Sequence, residues 1–151
     1  MWPDPRVVEL VNSEFTAVRV HVQEQAEEFK RLGKQYGAEW TPTTLVLDPS
    51  GAEQHRIEGF LPAPEFLAQL TIGLGRVQFA REAFAEAERR FQAVVDGFAD
   101  TDAAPEALYW AGVARYKQSS DPAALQDTAA RLRERYPDST WRKKASVWDR
   151  G

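Results

Sequence analysis

The stretch Tyr36-Gly37-Ala38-Glu39-Trp40-Thr41-Pro42, running into Thr43-Thr44-Leu45-Val46-Leu47-Asp48, decides how this chain is read. Upstream of Gly37, apolar Ala26, Phe29, Leu32 and Tyr36 recur at three- and four-residue steps, which predicts a helix over Gln23 to Tyr36. Gly37 suits its C-terminal cap. Thr41-Pro42-Thr43 then turns the chain, because proline fixes φ and lacks a backbone donor. Thr43 to Leu47 is β-branched and apolar, as a strand requires. Asp48-Pro49-Ser50-Gly51 is a hairpin turn that returns Ala52 to Glu58 as a second strand. Gly59-Phe60-Leu61-Pro62 leads into a helix beginning near Pro64-Glu65.

Working back toward the start, Pro3, Asp4 and Pro5 open a helix with an apolar stripe of Val7, Val8, Leu10 and Val11. Asn12-Ser13 ends it. Phe15 to Val22 then reads as a strand, with Val18, Val20 and Val22 on one face and Arg19 and His21 on the other.

An aromatic–glycine element, four residues, a Thr-Pro-Thr turn and an apolar strand resemble the cis-proline loop of the thioredoxin superfamily. The run from Asp4 to Asn12, followed by Phe15, resembles the segment after the cysteine pair in relatives that act on protein disulfides. The resemblance covers about residues 1 to 72. It implies an α/β thioredoxin-like domain that is incomplete, because the preceding strand and the Cys-x-x-C helix start are missing. In the family that strand lies at the centre of the sheet, between the strands corresponding to 15–22 and 43–47. Without it, two strands would each present unpaired N–H and C=O groups to a gap. Three arrangements would answer this. Met1 is internal to a longer product, the two strands pair directly in antiparallel fashion, or another chain supplies the strand. The first is the expectation for the natural product, and the others for the chain as it stands.

After Phe66 the pattern becomes continuously helical. Gly75 and Ala87 are twelve apart, as are Gly112 and Ala124, and the two pairs are related by a shift of 37 residues that also relates Phe79 to Tyr116. Leu108 lies four residues before Gly112, and Pro137 follows Arg135-Tyr136. This resembles tetratricopeptide repeats, in which a small residue of the first helix meets an alanine of the second. The period exceeds the usual length of about 34 residues, and Gly97-Phe98-Ala99-Asp100 stands where the first repeat would close on proline. Asp138-Ser139 caps a final helix carrying Trp141, Ala145 and Trp148. The expected organisation is therefore a thioredoxin-like domain over 1–72 and an all-α, tetratricopeptide-like helical-hairpin region over 73–151. Two repeats are too few for independent stability, so the helices are expected to dock on the first domain through a helix carrying Phe66, Leu70 and Leu74.

Composition narrows the function classes. The 151 residues are 43% hydrophobic and 28% charged, which reads as folded rather than disordered. A formal charge of −4 argues against a nucleic-acid partner. No apolar run approaches the roughly 20 residues that cross a bilayer, so no membrane partner is expected. Met1-Trp2-Pro3-Asp4-Pro5 lacks the order of a secretory signal, and a cytoplasmic location is the expectation. The chain has no cysteine, which excludes disulfides, thiolate nucleophiles and zinc-thiolate sites.

His21 and His55 are the only histidines; no ligand set accompanies them, and they read as partly exposed strand residues. Carboxylates such as Glu24, Glu27, Glu28, Glu82, Glu86 and Glu88 fall beside Lys30, Arg31, Arg89 and Arg90, as solvated ion-pair faces do. Arg131, Arg133, Arg135, Arg142, Lys143 and Lys144 give the C-terminus a basic surplus, either a solvated face or an attraction for acidic peptide segments. No catalytic residue, metal site or cofactor is expected. The candidate polypeptide-binding residues are Trp40, Thr41 and Pro42. The thioredoxin resemblance implies that the residue before the cis-proline offers backbone hydrogen bonds to an extended peptide. The repeat resemblance adds Tyr109, Val113, Tyr116 and Lys117 as groove positions, with core packing as the plain alternative for the aromatics.

Two functions follow. One is an interaction protein, chaperone-like, that binds unfolded or extended polypeptide without redox chemistry. The other is a thiol–disulfide oxidoreductase whose Cys-x-x-C lies upstream of Met1. A third reading is an assembly scaffold that forms homo-oligomers through the open sheet.

Overall fold

The computed structural model describes residues 4–149. Pro3, read above as part of the first helix opening, lies outside them. The chain divides into two units, Met1–Leu67 and Ala68–Gly151.

The first unit opens with helix α1, Pro5–Glu14. Asp4 caps it: its carboxylate accepts from Arg6 N at 2.9 Å, and Pro5 occupies the first turn, where no donor is needed. Val7 and Val11, one turn apart, are buried, whereas Val8 is exposed. The helix runs past Asn12-Ser13 to Glu14, and within it the Ser13 hydroxyl donates back to Glu9 O at 2.8 Å.

The strand expected over Phe15 to Val22 does not form; residues 15–21 belong to no helix or ladder and 22–25 form a turn. Val18 is 83% exposed. Alternation of valines supplies a face, but a strand also needs a neighbour to take its backbone hydrogen bonds. The only sheet among the described residues has two strands, β1 (Thr43–Leu47) and β2 (Glu53–Glu58). Direct antiparallel pairing of 15–22 with 43–47 is thereby overturned.

Helix α2, Ala26–Tyr36, begins three residues later than the periodicity predicts, because the preceding residues close a turn in which Gln25 N donates to His21 O at 2.9 Å. It ends at Gly37, whose φ of 62° is the left-handed cap that glycine adopts freely. No residue of α2 is fully buried; Phe29, Leu32 and Tyr36 are half-covered. Its C-terminal end is tied to the hairpin: Tyr36 Oη donates to Gly51 O at 2.9 Å, and the Arg56 guanidinium donates to Tyr36 O and Gly37 O.

β1 and β2 pair antiparallel, Thr43 opposite Glu58 and Val46 opposite His55, with an irregularity between Val46 and Leu47. Thr44, Val46, His55 and Ile57 share one face, and Val46 and Ile57 are its buried members. The turn is organised by Asp48, whose carboxylate accepts from Ser50 N at 2.9 Å and Ala52 N at 3.1 Å.

Helix α3, Ala63–Ala80, contains the boundary between the units. The second unit continues with α4 (Phe84–Gly97), α5 (Ala103–Ser119), α6 (Ala123–Arg135), α7 (Thr140–Ala145) and a 3₁₀ turn, Ser146–Trp148. Its core joins Ile72, Phe91, Val94, Val95, Leu108 and Leu132 with alanines that let helices approach. A Cβ on Gly75 would lie 2.6 Å from Phe91, and one on Gly112 would overlap Thr128. The close approach therefore falls on Phe91 and Thr128, one turn beyond the expected partners Ala87 and Ala124. α4 and α5 are also bridged by Glu88, which accepts from Arg115 at 2.8 Å and Gln118 at 2.7 Å. Ser139 caps α7, accepting from Arg142 N at 3.0 Å; Trp141 and Ala145 lie on α7, and Trp148 on the 3₁₀ turn after it.

Candidate polypeptide-binding site

Trp40, Thr41 and Pro42 form the loop between α2 and β1. The Thr41–Pro42 bond is cis. The loop is pinned on both sides: Trp40 O accepts from Thr43 Oγ1 at 2.5 Å, and Pro42 O accepts from Gly59 N at 2.8 Å. Between these two occupied carbonyls, the Thr41 peptide groups have no hydrogen-bond partner among the described residues. Trp40 is 70% exposed, and Thr41 and Pro42 are exposed as well. An exposed indole thus adjoins free backbone donors and acceptors at the head of β1, whose one partner in the sheet is β2.

In the second unit, Tyr109, Tyr116 and Lys117 all lie on α5, but they do not share an environment. The Tyr109 ring stacks on Trp148 at 4.7 Å and lies 5.1 Å from Trp141. Desolvation pushes its hydroxyl pKa up. Tyr116 and Val113 are half-buried, and Lys117 is exposed. Aromatic spacing on a helix alone does not separate a groove position from a packed one, and for Tyr109 packing prevails.

The same helix carries a cluster that the sequence reading did not assemble. The Arg76 guanidinium lies over Trp110 at 4.9 Å, Lys144 Nζ over Trp141 at 4.0 Å, and the two indoles are 6.4 Å apart. Glu106, one turn before Trp110, is half-buried; desolvation pushes its carboxyl pKa up against the opposing pull of Arg76 and Lys144. The available signal was the spacing of Glu106 with Trp110 and of Trp141 with Lys144 on single helix faces.

His21 caps a turn and His55 lies on β2. Among the described residues no cluster of three metal-ligating side chains occurs, and no helix is long and apolar enough to cross a membrane. The sequence has no cysteine, so none of its own residues brings a thiol to the loop at Trp40–Pro42.

The model of the thioredoxin-like domain family matches residues 1–72. This part of the chain is thioredoxin-like. No curated protein and no solved structure gives a match. The match ends inside α3, so the thioredoxin-like part holds Trp40, Thr41 and Pro42, while Tyr109, Tyr116 and Lys117 lie outside it.

Proposed function

We propose that this chain is a non-catalytic interaction module in which a thioredoxin-like domain binds extended or unfolded polypeptide by strand addition at Trp40, Thr41 and Pro42. The observation that carries the reading is the unpartnered Thr41 peptide group between two occupied carbonyls, beside an indole that is 70% exposed. Backbone pairing gives affinity without demanding one client sequence, and the indole adds an apolar anchor. The helical region is read as a tetratricopeptide-like pair of hairpins. In support, Gly75 packs on Phe91 and Gly112 on Thr128, two pairs related by the same 37-residue shift. On that region Tyr116 and Lys117 remain candidates, whereas Tyr109 is occupied by Trp148. A chaperone-like, cytoplasmic role is the corresponding proposal.

The test is fluorescence anisotropy of a labelled, reduced and carboxymethylated unfolded polypeptide titrated with the full chain. Trp40→Ala should weaken binding roughly tenfold or more, as loss of a buried aromatic anchor does. Unchanged affinity would remove Trp40 from the site. Insulin reduction by the full chain should be blank, because no thiolate exists.

Self-association is a second reading, favoured by one observation: among the described residues β1 pairs with β2 alone, which leaves its other edge without a strand partner.

A further inference from the structure

Among the described residues only two aromatic side chains are left exposed, and both stand at the turn around Pro42. Trp40, two positions before the proline, is 70% exposed. Phe60 is 68% exposed and follows Gly59, whose N–H donates to Pro42 O at 2.8 Å. Each ring leaves most of its apolar area in water, and a chain laid against the turn would remove that area from it.

Carboxylates border the same turn. Glu39 directly precedes Trp40, is exposed, and makes no ion pair or side-chain hydrogen bond among the described residues. Glu58 pairs across the ladder with Thr43, the residue after Pro42. Its cation is shared: Arg56 binds Glu53 at 2.6 Å and Glu58 at 3.2 Å, and also donates to Tyr36 O and Gly37 O. One negative charge of that trio is therefore left over. Glu65 lies in the first turn of α3, beyond Phe60. The cation opposing this set is Lys34, in the last turn of α2, where it complements the helix end. Residues 1–67 hold six Lys and Arg against eleven Asp and Glu, a formal charge of −5. The unit that carries the loop is thus more acidic than the whole chain, at −4.

We propose that this turn selects extended polypeptide that is cationic as well as apolar. Trp40 and Phe60 hold apolar side chains, while Glu39 and Glu58 attract the lysine or arginine residues that flank them. The selection rests on the reading of the loop as a strand-addition site and names the class of client taken there. Backbone pairing is blind to side chains, so discrimination falls to the rings and the charges beside them. Charges at an exposed rim act through long-range attraction, which salt screens.

The test uses three labelled unfolded peptides with one shared apolar core, flanked by lysine, by serine or by glutamate. Each is titrated with the full chain, followed by fluorescence anisotropy, at about 50 mM and about 500 mM salt. At low salt the lysine-flanked peptide should bind roughly fivefold or more tighter than the glutamate-flanked one, the scale of exposed ion pairs, and high salt should close most of the gap. Glu39→Gln should narrow the gap and leave the serine-flanked peptide unchanged. Glu27→Gln, the same charge change about 15 Å away along α2, should leave the gap as it is. Phe60→Ser should weaken all three peptides alike, roughly threefold or more. Equal binding of the lysine- and glutamate-flanked peptides, or the same narrowing in Glu27→Gln as in Glu39→Gln, would overturn the charge selection and leave strand addition standing. Full affinity in Phe60→Ser would overturn the second anchor. Failure of every peptide to bind would overturn the strand-addition reading itself, and the selection with it.

Discussion

The loop position of Trp40 was legible because its neighbours constrain it so strongly: a helix ends at Gly37, a proline follows two residues on, and a strand starts at Thr43. What the sequence did not carry is that Thr43 Oγ1 and Gly59 N close off the carbonyls on either side of Thr41. Tyr109 shows the opposite outcome, since only the fold brings Trp148 onto its ring. Two predictions belong to single residues. Gly112→Ala would drive a methyl into Thr128, whose hydroxyl is held by donating to Ala124 O at 2.7 Å. The substitution should cost about 1–3 kcal/mol in urea denaturation, and Thr128→Ala in the same chain should restore part of it. Glu106 carries a raised carboxyl pKa caused first by desolvation. A raised folded-state value means that the folded state binds the proton more tightly than the unfolded one. Burial of the charge is therefore unfavourable at neutral pH and is relieved as pH falls through that value. Glu106→Gln should raise the thermal midpoint at neutral pH, with the gain shrinking in acid; a lower midpoint at neutral pH would contradict the desolvated placement.

Among the elements, the hairpin and both helices flanking it were readable because their signals are local. Gly37 ends α2 by adopting a left-handed φ, and Asp48 gathers the turn amides with its own carboxylate. The strand at 15–22 failed because strand formation is a property of pairs. Val18, Val20 and Val22 have the right period, but among the described residues no strand pairs with them. The glycine spacing in the helical region predicted close approach correctly at Gly75 and Gly112 and mistook the opposing residue by one turn, since side-chain direction along the helix sets which residue is met. Val18→Lys tests the strand directly. At 83% exposure it should leave stability unchanged within about 0.5 kcal/mol, whereas a buried strand valine would cost several times that.

For the molecule as a whole, the family match over residues 1–72 and the helical run after it follow from patterns spread along the chain, which is why both were visible without coordinates. Function is less visible, because the sequence holds no cysteine, the residue type from which thiol chemistry would be read. If copies associate through the free edge of β1, sedimentation should show mass rising with concentration, and saturating polypeptide should reverse it by occupying the same backbone. A strict monomer at high concentration would end that reading. The central claim, that an extended polypeptide is held by its main chain next to Trp40, is tested most directly with two versions of one unfolded peptide, one carrying N-methyl groups on alternate amides. Strand addition predicts that the methylated peptide loses most of its affinity for the full chain, while its side chains are untouched. Equal affinity for both peptides would contradict it.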